Sequence, residues 1–580
     1  VTQVPTNPAD PAGPPGAAAP AAPGEPARRA ARANGTRRGA PGGWAGRARR
    51  APDPGAGREA PGQPGAAAAG AGFASRAART ALAEADERPA PAPERPAPPD
   101  RPAPPDRPAG WMRARGPAEG SGPVEWVMST VIRKLSWSRL SDPRVAISVS
   151  GLGLLLGMLV GATAPNAETL PEPARLPLSR LLPSLVHHPV LAMAMTYSGD
   201  VLACAGLAGM LWAHSQGWRP DPRRLLLVSA AIVAVMVSLT PVGSSDTASY
   251  AAYGRIAALG GNPYTHGPAW LGAHSPYLEV VGWLWKSQPS VYGPFATVIQ
   301  SFAASIGGAN AATTIWVLMI LNGAVFIGVG WLLLKTSDDP VRATLFWTAN
   351  PVLIQQLVSG GHLDTFVAAA AICAIQVARR VTGIWGDVLV GVLIGIGCGI
   401  KISAVLIGIG LAWPLLRQRE WLRTGRIAAV ALATLALLYS PYLLNARDWA
   451  SPIKPLFQGS KWVTLPSPLW FLHEAGRALG AARTMAVVIS VIWLAAMFVV
   501  AWLVHQRISS DQPREVVAPF ALTYAWIVVA PWVMAWYTAI AWVALTQVPR
   551  NRMTRWLALV TVWYALWHSS GGWTVPGHVA

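Results

Sequence analysis

Just past a long apolar stretch the chain reads TPVGSSDTASYAAYGR over residues 240–255, and that segment holds the residues best suited to chemistry. Asp246, Tyr250 and Tyr253 stand at i, i+4 and i+7, so a helix starting here carries all three on one face. Pro241 and Gly243 break the preceding helix, and Ser244 or Ser245 can cap the new one. A carboxylate in the first turn is favoured by the helix dipole and stays ionised, which a general base requires. The alternative is a helix-start carboxylate with no catalytic part.

Further along, His362 and Asp364 begin an apolar run, where they can bind hydroxyls or a phosphate or simply start a helix. Lys401 interrupts the sequence Gly-Ile-Lys-Ile-Ser at 399–403. A charge at that depth is costly and is usually functional, although a lysine can also extend its amine to the surface. Tyr250, Tyr253, Tyr264 and Tyr292 offer hydroxyls and ring faces to a polar ligand. Asp200 falls in or near the second apolar span and is expected at its outer end. Trp532, Trp536 and Tyr537 are read chiefly as an aromatic belt at a membrane interface.

The elements that must position these groups are membrane helices. The 580 residues are 52% hydrophobic and only 13% charged, which excludes an ordinary soluble domain. From about residue 145 the apolar residues gather into runs suited to a bilayer, which takes roughly 20 residues per crossing. About 13 spans are expected, near 146–163, 190–214, 225–242, 311–335, 343–359, 364–378, 385–400, 402–417, 426–443, 483–505, 516–531, 533–547 and 555–570. The fold class is therefore an all-α polytopic membrane protein, with a core over 145–570. A net charge of +19 raises the possibility of nucleic-acid binding, but its placement argues against it. Much of the excess lies in the N-terminal region and in loops around Arg219–Arg224, Lys335–Arg342, Arg379–Arg380, Arg417–Arg426, Arg507–Arg514 and Arg550–Arg555. With a cytoplasmic N-terminus all these loops fall inside, provided the apolar stretch 291–306 is re-entrant or interfacial. The same topology gathers 243–310, the junctions at 360–364 and near Lys401, the loop 444–482 and the Pro531-Trp532 corner on the outer face.

Residues 1–125 are rich in Ala, Pro, Gly and Arg, and Arg-Pro-Ala-Pro-Pro-Asp repeats at 95–100 and 101–106. Such a segment buries too little apolar surface to offset its chain entropy and is expected to be a disordered cytoplasmic tail. Val1 suggests an alternative start codon, with Met112 or Met128 as a truer beginning. The three cysteines, Cys204, Cys373 and Cys398, have no metal-ligand spacing and are read as small core residues. No P-loop, dinucleotide fingerprint or metal cluster is evident, so no cofactor is certain, and a divalent metal is either not required or left open by the sequence.

The ordered set Asp246, Tyr250-x-x-Tyr253-Gly-Arg255, Asn262-Pro-Tyr264-x-x-Gly-Pro268 and Tyr292-Gly-Pro294 resembles the actinobacterial polyprenol-phosphate-mannose-dependent α-1,6-mannosyltransferases, membrane glycosyltransferases of the GT-C class. The resemblance runs from roughly 145 to 567 and leaves out the tail. It implies a GT-C-like fold in the plasma membrane with an extracytoplasmic active site. It implies mannose transfer from a polyprenyl-phosphate donor, with inversion, to a mannan or lipomannan-type acceptor. On this resemblance Asp246 is the general base with Asp364 in reserve. Lys401 pairs with the donor phosphate, and Arg255 matches the Gly-Arg step. His362-Leu363-Asp364 departs from the His-Asn-Asp common in relatives. In the loop 444–482, Trp449, Lys454, Lys461 and Trp462 are candidates for an acceptor groove. The rival readings are a GT-C transferase of another linkage or sugar, such as an α-1,2-mannosyl- or arabinosyltransferase, and a lipid-linked sugar flippase. Transporters favour internal repeats and charges at the membrane midplane, whereas the polar residues here gather at one face.

Overall fold

The computed structural model describes residues 141–444, 467–508 and 514–567, with short pieces at 450, 453–454 and 463–465. All of these fall in one compact unit, Ala114–Ala580. The expected tail at 1–125, together with Trp449, Lys461 and Trp462, lies outside the described residues.

The described secondary structure is helical apart from one isolated bridge, Thr169 to Val242. The helices are α1 (Pro143–Ala162), α2 (Pro189–Ser215), α3 (Pro222–Met236), α4 (Asp246–Ala258), α5 (Pro294–Gly307), α6 (Ala311–Thr336) and α7 (Pro340–Phe346). Then come α8 (Asp364–Arg380), α9 (Gly383–Cys398), α10 (Val405–Arg417), α11 (Trp421–Leu444), α12 (Pro468–Ala478), α13 (Ala482–Arg507), α14 (Arg514–Val529), α15 (Ala539–Leu545) and α16 (Met553–Trp567). Their starts follow from local chemistry. Asp142, Asp221, Asp339 and Ser467 each precede a proline and accept a backbone N–H of the first turn, while Asn310 caps α6 in the same way.

Five described helices are long and apolar enough to cross a membrane: α1, α2, α6, α11 and α13. Several other expected spans are shorter or broken. The stretch 343–359 is interrupted because Asn350 accepts the N–H groups of Val352 and Leu353, which starts a new helix at Pro351. That helix passes into a π-helical turn, Ile354–Ser359. The stretch 533–547 divides into a 3₁₀ turn, Ala535–Thr538, followed by α15. The apolar segment 291–306 forms α5, which has only 14 residues.

The parts that matter for function converge on α4, which packs on α5 and α6. At the α4–α5 contact a methyl group on Gly254 would lie 2.2 Å from the Gln300 carbonyl oxygen. Gly254→Ala is expected to separate the two helices and cost about 1–3 kcal/mol. Gly425→Ala on α11, where nothing lies within 4 Å, is the control for the gain in helix propensity alone, about 1 kcal/mol. Thermal unfolding in detergent compares the two, and equal midpoints would show that the close approach is dispensable.

Candidate active site

Asp246 occupies the first position of α4, and its backbone N–H donates to the Ser244 hydroxyl at 3.2 Å. Ser245 holds the N-cap position without a side-chain hydrogen bond, so the cap falls to Ser244. The hydroxyl of Tyr250, one turn along, donates to Asp246 Oδ2 at 3.2 Å. The Tyr292 hydroxyl reaches the same oxygen at 3.5 Å, and the two rings meet edge to face at 4.9 Å. His362 Nδ1 stands 3.4 Å from Oδ2. Burial drives the carboxyl toward its neutral form, but the His362 contact and the charges of His362 and Lys401, with the Tyr250 hydrogen bond, outweigh it. Asp246 is thereby held below the usual carboxylate range and ionised at neutral pH. Its side chain remains 23% exposed, so it can reach a ligand.

The turn that delivers His362 is built for close approach. Gly361 has φ of 66°, a region that favours glycine, and a methyl group there would lie 2.3 Å from Thr247 Cγ2 and 2.6 Å from Met319 Sδ. Asn322 on α6 donates to the His362 carbonyl at 2.6 Å and accepts from Thr365 at 3.3 Å. The His362 ring stacks on Trp536, with centroids 3.5 Å apart and planes 13° apart.

Lys401 leaves the end of α9 in extended backbone, φ −151° and ψ 133°. The segment around Tyr292 fixes that exit. Gly293 N–H donates to the Ile400 carbonyl at 3.0 Å, and the N–H groups of Phe295 and Ala296 donate to the Gly399 carbonyl at 2.6 and 3.1 Å. Lys401 Nζ then meets both oxygens of Asp364 at 3.0 Å and lies 3.6 Å from the centre of the Tyr537 ring. Burial pulls the ammonium below its ordinary range, and Asp364 and Asp246 offset that only in part.

The structure thus brings together Asp246, Tyr250, Tyr292, His362, Asp364 and Lys401, from segments up to 155 positions apart in the chain. Other candidates take different places. The Tyr253 hydroxyl donates to the Gln288 carbonyl at 3.0 Å and pins that loop to α4. Tyr264 is 1% exposed, shares a 2.7 Å hydrogen bond with Thr297, and packs against Tyr439 and Tyr442. The charge of Arg255 is felt at Tyr277 rather than at Asp246. The aromatic-belt reading fails for Trp536, because a belt residue presents its ring at the membrane surface and this one is 5% exposed beneath His362. Tyr537, engaged by Lys401 and stacked on Trp526, is also part of the site wall. Trp532 is half-buried, its ring 6.5 Å from that of Trp285. Asp200 is not at the outer end of its helix but 2% exposed within α2. Among the described residues no group of three or more His, Cys, Asp or Glu could hold a metal ion.

Residues 149–417 match the family model described as alpha-(1->6)-mannopyranosyltransferase, N-terminal domain. That span contains every one of the six converging residues. Over that stretch the chain is similar to the alpha-(1->6)-mannopyranosyltransferases. A probable alpha-(1->6)-mannopyranosyltransferase of Mycolicibacterium smegmatis is 27% identical, over 49% of this chain and 48% of its own length. Alpha-(1->6)-mannopyranosyltransferase B of Corynebacterium glutamicum is 26% identical over 53% of this chain and 56% of its own. Alpha-(1->6)-mannopyranosyltransferase A of Mycobacterium tuberculosis is 26% identical over 43% and 50%. The chain spans about half the length of the curated relatives it matches. No solved structure matches it significantly. Trp536 and Tyr537 lie beyond the stretch matched by the alpha-(1->6)-mannopyranosyltransferase family model, and close the site from the C-terminal part of the chain.

Proposed function

We propose that this chain is a multi-pass plasma-membrane mannosyltransferase. It moves mannose from polyprenyl-phosphate mannose to a mannan or lipomannan-type acceptor, forming α-1,6 linkages. The observation that carries this reading is the ionised, partly exposed Asp246 carboxylate near a lysine whose side chain is only 14% exposed. The acceptor oxygen forms a bond to the anomeric carbon as the bond from that carbon to the phosphate oxygen breaks, with inversion. The acceptor proton goes to Asp246, and the bonding electrons leave with the phosphate. Tyr250 and Tyr292 hold the carboxylate in place. Lys401 faces the developing phosphate charge, which an ammonium in a water-poor site stabilises strongly. Asp364 is the poorer base, because both its oxygens are engaged by Lys401.

Membranes from cells expressing the chain, given radiolabelled polyprenyl-phosphate mannose, are expected to yield labelled glycolipid with new α-1,6 linkages. Another linkage would reassign the enzyme within the same class. Movement of lipid-linked sugar across proteoliposomes without transfer would overturn the transferase reading.

The proposed topology has about 13 crossings, a cytoplasmic N-terminus and an outward-facing site. Its test replaces the native cysteines by alanine and then places a single cysteine at Ala273 or Gln418, both exposed. The Ala273 position is expected to react with an impermeant thiol reagent in whole cells and the Gln418 position only after lysis. The opposite pattern would invert the topology.

A further inference from the structure

A second buried charge lies at the other end of α9 from Lys401. Asp387 interrupts the apolar sequence Gly-Ile-Trp-Gly-Asp-Val-Leu-Val of 383–390 and is 2% exposed. A carboxylate so placed needs partners, and α11 supplies two. Arg423 Nε donates to Asp387 Oδ1 at 3.1 Å, and Arg426 Nη1 donates to Oδ2 at 2.8 Å. Arg423 Nη1 also donates to Glu420 at 2.8 Å. A guanidinium carries five N–H donors in a rigid fork, so most of the donors on this pair remain unused. Asp387 thus holds two arginines in fixed positions while their side chains stay 41% and 32% exposed.

Both arginines open on a cleft of about 480 Å³, a volume in the range of small-molecule sites. Val381, Ile384, Val390, Leu411, Leu415 and Ile427 give the cleft an apolar wall. Thr382 is also in the wall, at the N-cap of α9, and makes no side-chain cap there. The positive end of the helix dipole therefore adds to the attraction for an anion. Glu515, at the start of α14, completes the wall and makes no ion pair among the described residues. Trp385 and Trp421 adjoin the cleft residues in sequence and are 75% and 63% exposed, as indoles are at the headgroup level of a bilayer. The 16 residues of α9 carry the chain roughly 24 Å from this cleft toward Lys401. The cleft and the candidate active site thus lie at opposite ends of one helix.

We infer that the cleft binds a glycerophospholipid whose headgroup carries both a phosphodiester and a primary ammonium. The phosphate takes the unused donors of Arg423 and Arg426, a geometry to which guanidinium forks are matched. The ammonium pairs with Glu515, and an acyl chain lies along the apolar wall. The charges of the wall decide between headgroups. Arg423 and Arg426 are balanced by Asp387 and Glu515, so a headgroup without net charge fits. A purely anionic headgroup satisfies the arginines but sets its charge beside the Glu515 carboxylate. Arg417 and Arg419 are exposed close by and attract anionic lipid only through solvent, where salt screens them. The site stands apart from the reaction at Asp246 and does not depend on how that reaction is read.

The test gives the full chain in detergent micelles either phosphatidylethanolamine or phosphatidylglycerol with the same acyl chains. Inorganic phosphate and O-phosphoethanolamine serve as soluble arms. Native mass spectrometry counts the retained lipid, and thermal unfolding reports its effect. Phosphatidylethanolamine should be retained about tenfold better than phosphatidylglycerol, the worth of one charge-assisted bond, and should raise the unfolding midpoint. Neither soluble compound should do so at the same concentration. Glu515→Gln breaks no pair in the fold, so it should unfold normally without lipid and retain the two lipids about equally. Leu415→Trp should fill the cleft and abolish retention of both while leaving every charge in place. Equal retention by the unmodified chain overturns the inference, as does a Glu515→Gln chain that keeps the preference. A folded Leu415→Trp chain that still retains phosphatidylethanolamine would place the lipid elsewhere and overturn the cleft. A midpoint raised equally by O-phosphoethanolamine would make the ligand a soluble phosphoamine and overturn the lipid.

Discussion

Asp246→Asn is expected to lower turnover by about 10²–10⁴ while leaving donor binding and folding nearly unchanged. The amide keeps the shape of the carboxylate and can still accept from Tyr250 and Tyr292, so the surrounding hydrogen bonds survive. What it loses is the capacity to take the acceptor proton. The pH dependence follows from the direction of the shift. The fold holds the Asp246 carboxyl below its ordinary range, so the base is competent throughout neutral pH. Wild-type activity should fall only as acidity rises through that lowered value. The asparagine variant should lose that acid limb along with most of its rate. Turnover at matched protein levels, with donor binding measured in parallel, is the decisive comparison. Near-normal turnover in Asp246→Asn together with an inactive Asp364→Asn would move the base to Asp364. Activity in both would end the carboxylate mechanism.

The start of α4 was legible because its signals are local. Pro241, Gly243 and the serines break one helix and begin another, and the i, i+4 spacing places Tyr250 on Asp246. The i+7 step misled for Tyr253, since helix face alone does not say which neighbour a hydroxyl finds, and here the Gln288 carbonyl is nearer. His362 and Lys401 stood out as charged or polar residues in apolar surroundings, yet their partners could not be read. Asp364 is 37 positions from Lys401, and their pairing depends on the Gly293 to Ile400 backbone bond, which no periodicity encodes. Composition cannot distinguish an interfacial indole from one stacked on a histidine, so nothing in the sequence separates Trp536 from a membrane-belt residue. Gln355-Gln356, two consecutive amides in an apolar stretch, was the visible sign of the small polar pocket that both line with Asp200 and His362. Counting apolar runs also treated 343–359 and 533–547 as continuous. Asn350-Pro351 was the visible cue that the first of them would break.

Lys401 and Asp364 offer the second large effect, and a double-mutant cycle separates its two causes. The side chains are only 14% and 7% exposed, so removing one partner leaves the other charged group without compensation. Lys401→Met and Asp364→Asn are each expected to destabilise the chain by about 3–5 kcal/mol. The double variant Asp364→Asn/Lys401→Met buries no net charge and should recover most of that stability, since a buried pair contributes little beyond its own desolvation. Unfolding in detergent measures this half of the cycle. Activity measures the other half. If Lys401 acts on the departing phosphate, restoring stability will not restore turnover, and the double variant will fold well and remain inactive. If the pair serves only to join α8 to the end of α9, turnover will return with stability. The Tyr537 ring at 3.6 Å sharpens the distinction, because it packs as readily against a thioether as against an ammonium. A stable, inactive double variant therefore points to the lost positive charge and not to a collapsed wall.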